Sequence, residues 1–306
     1  MNSPNRSRLG LLLAGCLLLP MFSAATRANS EMREWKLTTG DKLRAQIEDV
    51  DEAAQTVSLQ GENGVNTVLA LDRLTTMDRA WILEWVEMGE ELVSKATKLG
   101  GRIEHYDGKG KTLTTGFHVY FPSGEIPTGT QRPLMILFDC SGKSMRYLMR
   151  HMEAAEIAKI TIVTCDLFSN KMDNDEAKLR FREVFPLIEA TVPHDPSRIF
   201  MGGTSGGAVR AYTETVNYPT IPWAGIYSNG GWLGGTNNWD KPYPAMRVAM
   251  VNGDKDLSVN QVMDDEAEVL RQHGSTVAVI AFEGGHQLPP ATVQVKAFKW
   301  LLKEIP

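Results

Sequence analysis

The chain has 306 residues, of which 42% are apolar and 23% charged, with a formal net charge of −5 and three cysteines. This composition excludes a disordered or fibrous protein, and the absence of a basic cluster excludes a nucleic-acid-binding surface. So few cysteines exclude a disulfide-built scaffold and leave room for at most one bridge.

Residues 1–28 are expected to be a signal peptide. Arg6 and Arg8 precede an apolar run over 9–19, followed by Pro20 and a small-residue stretch over 23–28. The run is shorter than the roughly 20 apolar residues that span a bilayer as a helix, and no later segment approaches that length. Cleavage after Ala28 or Ala25 predicts a soluble chain, exported to the periplasm or beyond the cell. A competing lipoprotein box, Leu13-Ala14-Gly15-Cys16, would leave Cys16 lipidated, but the apolar run continues past it through Leu17, Leu18 and Leu19. Removing residues 1–28 takes away three arginines and no acid, so 29 basic residues face 37 acidic ones and the net charge becomes −8.

Short alternating runs follow (Leu43, Ala45, Ile47; Val57, Leu59; Val68, Leu71), separated by the turn segments Thr39-Gly40-Asp41 and Glu62-Asn63-Gly64. They predict a small β-module over 31–85. Apolar residues at Ile82, Val86, Leu92 and Ala96 predict a helix over 77–99. The glycine- and lysine-rich stretch 100–116 reads as a seam, making 86–115 a helical connector and linker. Arg33-x-Trp35, Gly40, Leu43, Ala45 and the segment Leu71-Asp72-Arg73-Leu74-Thr75-Thr76-Met77-Asp78 resemble the Sla homology domain. That resemblance implies an SH3-like barrel. Two roles are open to such a module, holding a protein or glycan ligand or merely packing on the larger domain.

Over 116–306 strand-like and helix-like segments alternate, which predicts a mostly parallel sheet with helices on both faces. The expected strands are 117–121, 134–138, 160–164, 199–201, 224–227, 248–251 and 276–281. Pro186 is expected to kink or split a helix over 176–190. A single helix over 259–272 is expected, capped by Ser258 and ended at Gly274, and a last helix over 292–303. Cys140 and Cys165 follow strands expected to be neighbours, so a disulfide between them is left open.

The strongest signal is the apolar run Arg198-Ile199-Phe200-Met201 leading into Gly203-Thr204-Ser205-Gly206-Gly207 and then Ala208-Val209-Arg210-Ala211. Strand, Gly-x-Ser-x-Gly turn and helix in that order make a nucleophile elbow, with Ser205 exposed above the sheet and the Gly206 N–H aimed at a forming oxyanion. A phosphate-binding glycine loop fits worse, because no acid follows at the dinucleotide spacing and no P-loop lysine is present. An acid and a histidine should then follow in order. Asp256 comes 51 residues after Ser205, in the segment Asn252-Gly253-Asp254-Lys255-Asp256 after an apolar strand, and His286 comes 30 residues later in Gly284-Gly285-His286. His286 is the candidate general base and Asp256 the candidate partner that fixes its tautomer, preferred over Asp254 because it lies further into the loop. The loops over 165–173 and 230–241 should shape a pocket, with Trp232 and Trp239 on the second.

Together, Asp195-Pro196-Ser197-Arg198-Ile199-Phe200, Gly203-Thr204-Ser205-Gly206-Gly207, Gly253-Asp254-Lys255-Asp256 and Gly285-His286-Gln287-Leu288-Pro289 resemble exported α/β-hydrolases related to polyhydroxyalkanoate depolymerases, feruloyl esterases and dienelactone-hydrolase-like peptidases. The resemblance implies an eight-stranded α/β-hydrolase fold, no metal or other cofactor, and serine hydrolysis of a small-molecule or polymer-derived ester through an acyl-enzyme. A serine peptidase, or a weak or inactive hydrolase fold serving as a surface binding protein, is the alternative. The second oxyanion donor is expected to be the Ser141 N–H. Here the chain departs from the family, with Asp139-Cys140 replacing a His-Gly pair. The Cys140 side chain would crowd that loop, and Asp139 would set a negative charge beside the developing oxyanion unless it turns away.

Overall fold

The computed structural model describes residues 33–106, 116–166 and 168–303. The signal-peptide and lipoprotein readings lie outside these residues. The first unit is a four-stranded antiparallel sheet in chain order, β1 (Arg33–Lys36), β2 (Lys42–Asp51), β3 (Thr56–Gly61) and β4 (Asn66–Ala70). Trp35, Ala45, Ile47, Val57 and Leu59 turn inward from it and are fully buried. The next helix, α1 (Thr76–Leu99), starts at Thr75, whose hydroxyl accepts the Asp78 N–H, and ends at Gly100 in the left-handed region (φ 81°). Its first half packs Ile82, Trp85 and Val86 against the small sheet, and its second half packs Leu92 and Ala96 into the core of the larger unit.

The larger unit holds β5 (Arg102–Tyr106), β6 (Phe117–Phe121), β7 (Leu134–Phe138), α2 (Ser144–Ala158), β8 (Thr161–Cys165), α3 (Asn174–Thr191), β9 (Ile199–Thr204), α4 (Gly206–Asn217) and β10 (Trp223–Asn229). There follow β11 (Arg247–Gly253), α5 (Leu257–Asn260), α6 (Met263–Gln272), β12 (Thr276–Phe282) and α7 (Ala291–Leu301). Eight strands form one sheet in the order β12-β11-β10-β9-β7-β8-β6-β5, parallel from β12 to β8, with β6 antiparallel to both of its neighbours. Side chains alternate between two cores, as a doubly covered sheet requires. Leu134, Ile136 and Phe138 of β7 join α3, α4 and α6 on one face, while Met135 and Leu137 join α1, α2 and α7 on the other.

Three expectations are corrected. The seam at 100–116 begins with a strand, β5, paired along its length with β6; its charged residues suit a sheet edge, and Arg102 lies over the Phe121 ring at 3.8 Å. Of the kink or split expected at Pro186, the split does not occur: α3 runs continuously through it, its buried face of Phe181, Val184, Phe185 and Ile188 set against the roughly 3 kcal/mol that an interior proline costs. The helix expected over 259–272 is two helices, and Ser258 lies inside α5 instead of capping it. The break follows Asn260, whose side-chain amide turns back to donate to the Gly253 carbonyl at 2.9 Å. Cys140 and Cys165, on the neighbouring β7 and β8 sides as expected, are both free thiols. No helix among the described residues is long and apolar enough to cross a membrane.

Candidate active site

The chain runs from β7 to β8 on one side of the sheet and returns to β9 on the other, so β7 and β9 flank the point where strand order reverses. Loops at the carboxyl ends of strands diverge there, leaving a crevice. Ser205 stands at that point, between the end of β9 and the start of α4, with φ 56° and ψ −124°. A positive φ costs a non-glycine residue about 1–3 kcal/mol, and the surroundings must impose it. They do so from several sides. The Ser205 N–H donates to the Asn229 carbonyl at 2.9 Å, and the preceding Thr204 hydroxyl meets the Tyr147 hydroxyl at 2.7 Å and the Asn229 amide at 3.1 Å. The flanking glycines are steric necessities. A Cβ on Gly203 would run into the Gly207 carbonyl carbon, and one on Gly207 into the Phe138 carbonyl oxygen.

The Asp256 and His286 side chains meet. Asp256 follows β11 and its carboxylate is buried, with Oδ2 2.7 Å from His286 Nδ1. His286, on the loop after β12, is 44% exposed. Asp254 is occupied elsewhere, accepting the Gly284 N–H at 2.9 Å and so bracing the loop that carries the histidine. The Gly230-Gly231 backbone passes close to both this pair and the serine's main chain. A Cβ on Gly230 would stand 3.2 Å from His286 Cε1 and 3.6 Å from Asp256 Oδ2, while one on Gly231 would stand 3.3 Å from the Ser205 carbonyl oxygen. The Asn229 amide, beside Thr204, also donates to the Gln287 carbonyl at 3.2 Å, joining the elbow to the histidine loop.

The loop after β7 is held from within. Asp139 Oδ2 accepts the Ser141 hydroxyl at 2.5 Å and the Lys143 N–H at 2.6 Å, so the carboxylate is spent on its own loop and on the start of α2. Burial, and then the neighbouring Asp139, raise the Cys140 thiol above the ordinary cysteine range, which keeps it a neutral thiol. Ser141 bridges Ser169, and the Asn170 N–H donates to the Cys140 carbonyl at 2.9 Å. The Asn170 side chain reaches across to Gly206, where a Cβ would collide with it. Among the described residues no backbone hydrogen bond donated by the Ser141 or Gly206 N–H is found, and Asn170 links the two segments, its N–H to the Cys140 carbonyl and its side chain against Gly206.

Trp232 is half-buried and belongs to none of the three apolar cores, whereas Trp239 packs against the α3–α4 side of the sheet. The loop between them is tied down by the Leu233 N–H, which donates to the buried Glu266 at 2.9 Å. Asn229 and Asn170 were not anticipated individually. Both lie at or just beyond strand ends on the crevice side, which is the one signal the sequence offers for them.

No family model matches the sequence. No curated protein matches it either. Solved structures match in three dimensions. Esterase LipW from Mycobacterium marinum aligns with a TM-score of 0.54 at 15% identity, over 76% of this chain and 95% of its own. An esterase of Pyrobaculum calidifontis aligns at 0.53 and 10% identity, over 71% and 89%. An arylesterase aligns at 0.53 and 11%, over 69% and 88%. At these identities the likeness is one of fold: the protein has the α/β-hydrolase fold, preceded by a small antiparallel β-module.

Proposed function

We propose that the protein is a serine hydrolase acting on carboxylic esters through Ser205, His286 and Asp256. The observation that carries the reading is Ser205 held at positive φ on the β9–α4 turn, with the Asp256–His286 pair at 2.7 Å on the two loops beyond the next strand. In this reading Ser205 Oγ attacks the ester carbonyl carbon while His286 Nε2 takes its proton. Asp256 accepts the Nδ1–H, which fixes the tautomer and stabilises the imidazolium. The Gly206 and Ser141 N–H groups receive the oxyanion. His286 then returns the proton to the leaving alcohol, and water enters by the same route to release the acid from the acyl-enzyme.

The replacement of a His-Gly pair by Asp139-Cys140 does not by itself disable such a site, because the Asp139 carboxylate is engaged with Ser141 and Lys143. That several structural neighbours are esterases supports an ester over a peptide as substrate, as an analogy of fold. The arginine-flanked apolar start of the sequence supports action outside the cytoplasm. The β-module over 31–85 packs through α1 on the catalytic unit, which supports a scaffolding role beside any ligand it holds.

The test is turnover of nitrophenyl esters of graded acyl length, aromatic acyl groups included, by the wild type and by Ser205→Ala. Turnover that disappears with Ser205→Ala is expected. Equal turnover by the two proteins, or none by a folded wild type on any ester, contradicts the reading.

A further inference from the structure

A second grouping of chemically capable side chains lies at the β5–β6–β8 edge of the sheet and shares no residue with the proposed triad. Antiparallel pairing sets His105 of β5 directly opposite His118 of β6, and His118 opposite Thr164 of β8, two residues before Asp166. A spacing of two returns a side chain to the same face, so the three converge. His105 Nε2 lies 3.1 Å from Asp166 Oδ2 and His118 Nδ1 lies 3.0 Å from Asp166 Oδ1, and one donor atom from each residue falls within 4.8 Å of the others. The imidazole centroids are 4.4 Å apart. All three side chains are buried, at 5%, 0% and 6% exposure.

From this geometry we infer that His105, His118 and Asp166 form a binding site for a divalent transition cation of the zinc type. Two imidazole nitrogens and a carboxylate are the donor set that zinc, cobalt and nickel favour. Bonds of about 2.0–2.1 Å in a tetrahedral arrangement set neighbouring donor atoms roughly 3.4 Å apart. The two nitrogen–oxygen spacings, 3.1 Å to Oδ2 and 3.0 Å to Oδ1, lie within a few tenths of an ångström of that but run to different oxygens, so a cation held by one of them needs the carboxylate to turn and the imidazoles to draw together.

Two features favour a ligand over a merely hydrogen-bonded trio. At Gly116 the backbone passes so close that a Cβ would stand 2.8 Å from Asp166 Oδ2 and 3.1 Å from His105 Nε2, so only glycine leaves these donor atoms uncovered by a side chain. The Ser144 hydroxyl, from the first turn of α2, donates to Asp166 Oδ1 and orients the carboxylate as an outer-shell partner does. A bound cation would also offset the cost of burying the carboxylate. It would fasten the two edge strands to β8 and to the start of α2, the helix that follows the Asp139–Lys143 loop. The site is independent of the hydrolase reading and stands or falls without it.

The experiment is titration of Co²⁺ into the chelator-treated full chain, reading the visible absorption of the protein-bound ion, followed by displacement with Zn²⁺ and measurement of the melting temperature. One ion per chain is expected, with a melting temperature that rises as Zn²⁺ saturates the protein. Affinity should fall at least tenfold in His105→Gln and in Asp166→Asn, and stay unchanged in His286→Ala. His105→Gln carries the test if Asp166→Asn fails to fold, because β5 is an edge strand. Binding that is absent, or equal in wild type and His105→Gln, overturns the inference.

Discussion

Asp254 and Asp256 stand two residues apart on one loop, and their chemistry divides cleanly. Asp256 is buried against His286 Nδ1, while Asp254 accepts the Gly284 N–H at the surface. Without its carboxylate partner the imidazole is free to adopt the wrong tautomer and loses the stabilisation of its charged form. Asp256→Asn is therefore expected to lower kcat for an ester by on the order of a thousandfold or more. Asp254→Asn should cost far less, because it only loosens the turn that carries the histidine. Steady-state kinetics of the two variants on one ester checks the assignment, and equal losses would contradict it. The sequence favoured Asp256 for its position further into the loop, and it is the Asp256 carboxylate that lies against His286 Nδ1. The role of Asp139 was not legible, because the sequence gives the charge and withholds its direction, and the carboxylate turns to Ser141 and Lys143.

At the scale of the element, α2 carries a titratable group within its buried face. His151 is fully buried, with Nδ1 2.8 Å from the Tyr147 carbonyl, and its ring stacks on Phe298 at 6.4 Å. Burial pushes its pKa down to about 4. The unfolded chain, with an ordinary histidine pKa near 6.5, binds more protons than the folded one between these values, so stability falls as pH drops through that window. The loss attributable to this residue is about 3 kcal/mol. Urea denaturation of the wild type and His151→Phe at pH 7 and pH 4.5 measures it. The variant is expected to lose less stability over that interval, and parallel losses in both would contradict the sign. The strands around this helix were legible, since β6 to β9 are largely apolar runs, whereas the helix itself was not singled out. The polar edge strand β5, the proline inside α3 and the break between α5 and α6 were missed because each is decided by tertiary contacts: pairing with β6, burial of the α3 face, and the Asn260 amide turned back to Gly253.

For the whole molecule, α1 couples the two units. Ile82, Trp85 and Val86 belong to the core of the small sheet, and Leu92 and Ala96 to the core beneath β7 and α2. A helix continuous through both cores predicts that the two unfold together. Leu92→Ala should destabilise the protein by about 2–5 kcal/mol and shift one calorimetric transition as a whole. Two separate transitions in the wild type would show that α1 is only a spacer. The sequence marked the helix by its apolar periodicity but not this double attachment, because periodicity gives the buried face and not what covers it. The order of Ser205, Asp256 and His286 was read, by contrast, from a strand–turn–helix motif and two later strand ends, and in the fold these residues follow three parallel strands, β9, β11 and β12.

In the proposed reading Ser205 carries an activated hydroxyl. That reading is tested most directly by exposing the protein to a fluorophosphonate and locating the adduct by peptide mass spectrometry. Stoichiometric modification of Ser205, lost in Ser205→Ala and strongly slowed in His286→Ala, is the predicted result. A folded protein that stays unmodified, or one labelled as fast in His286→Ala as in the wild type, would contradict the account.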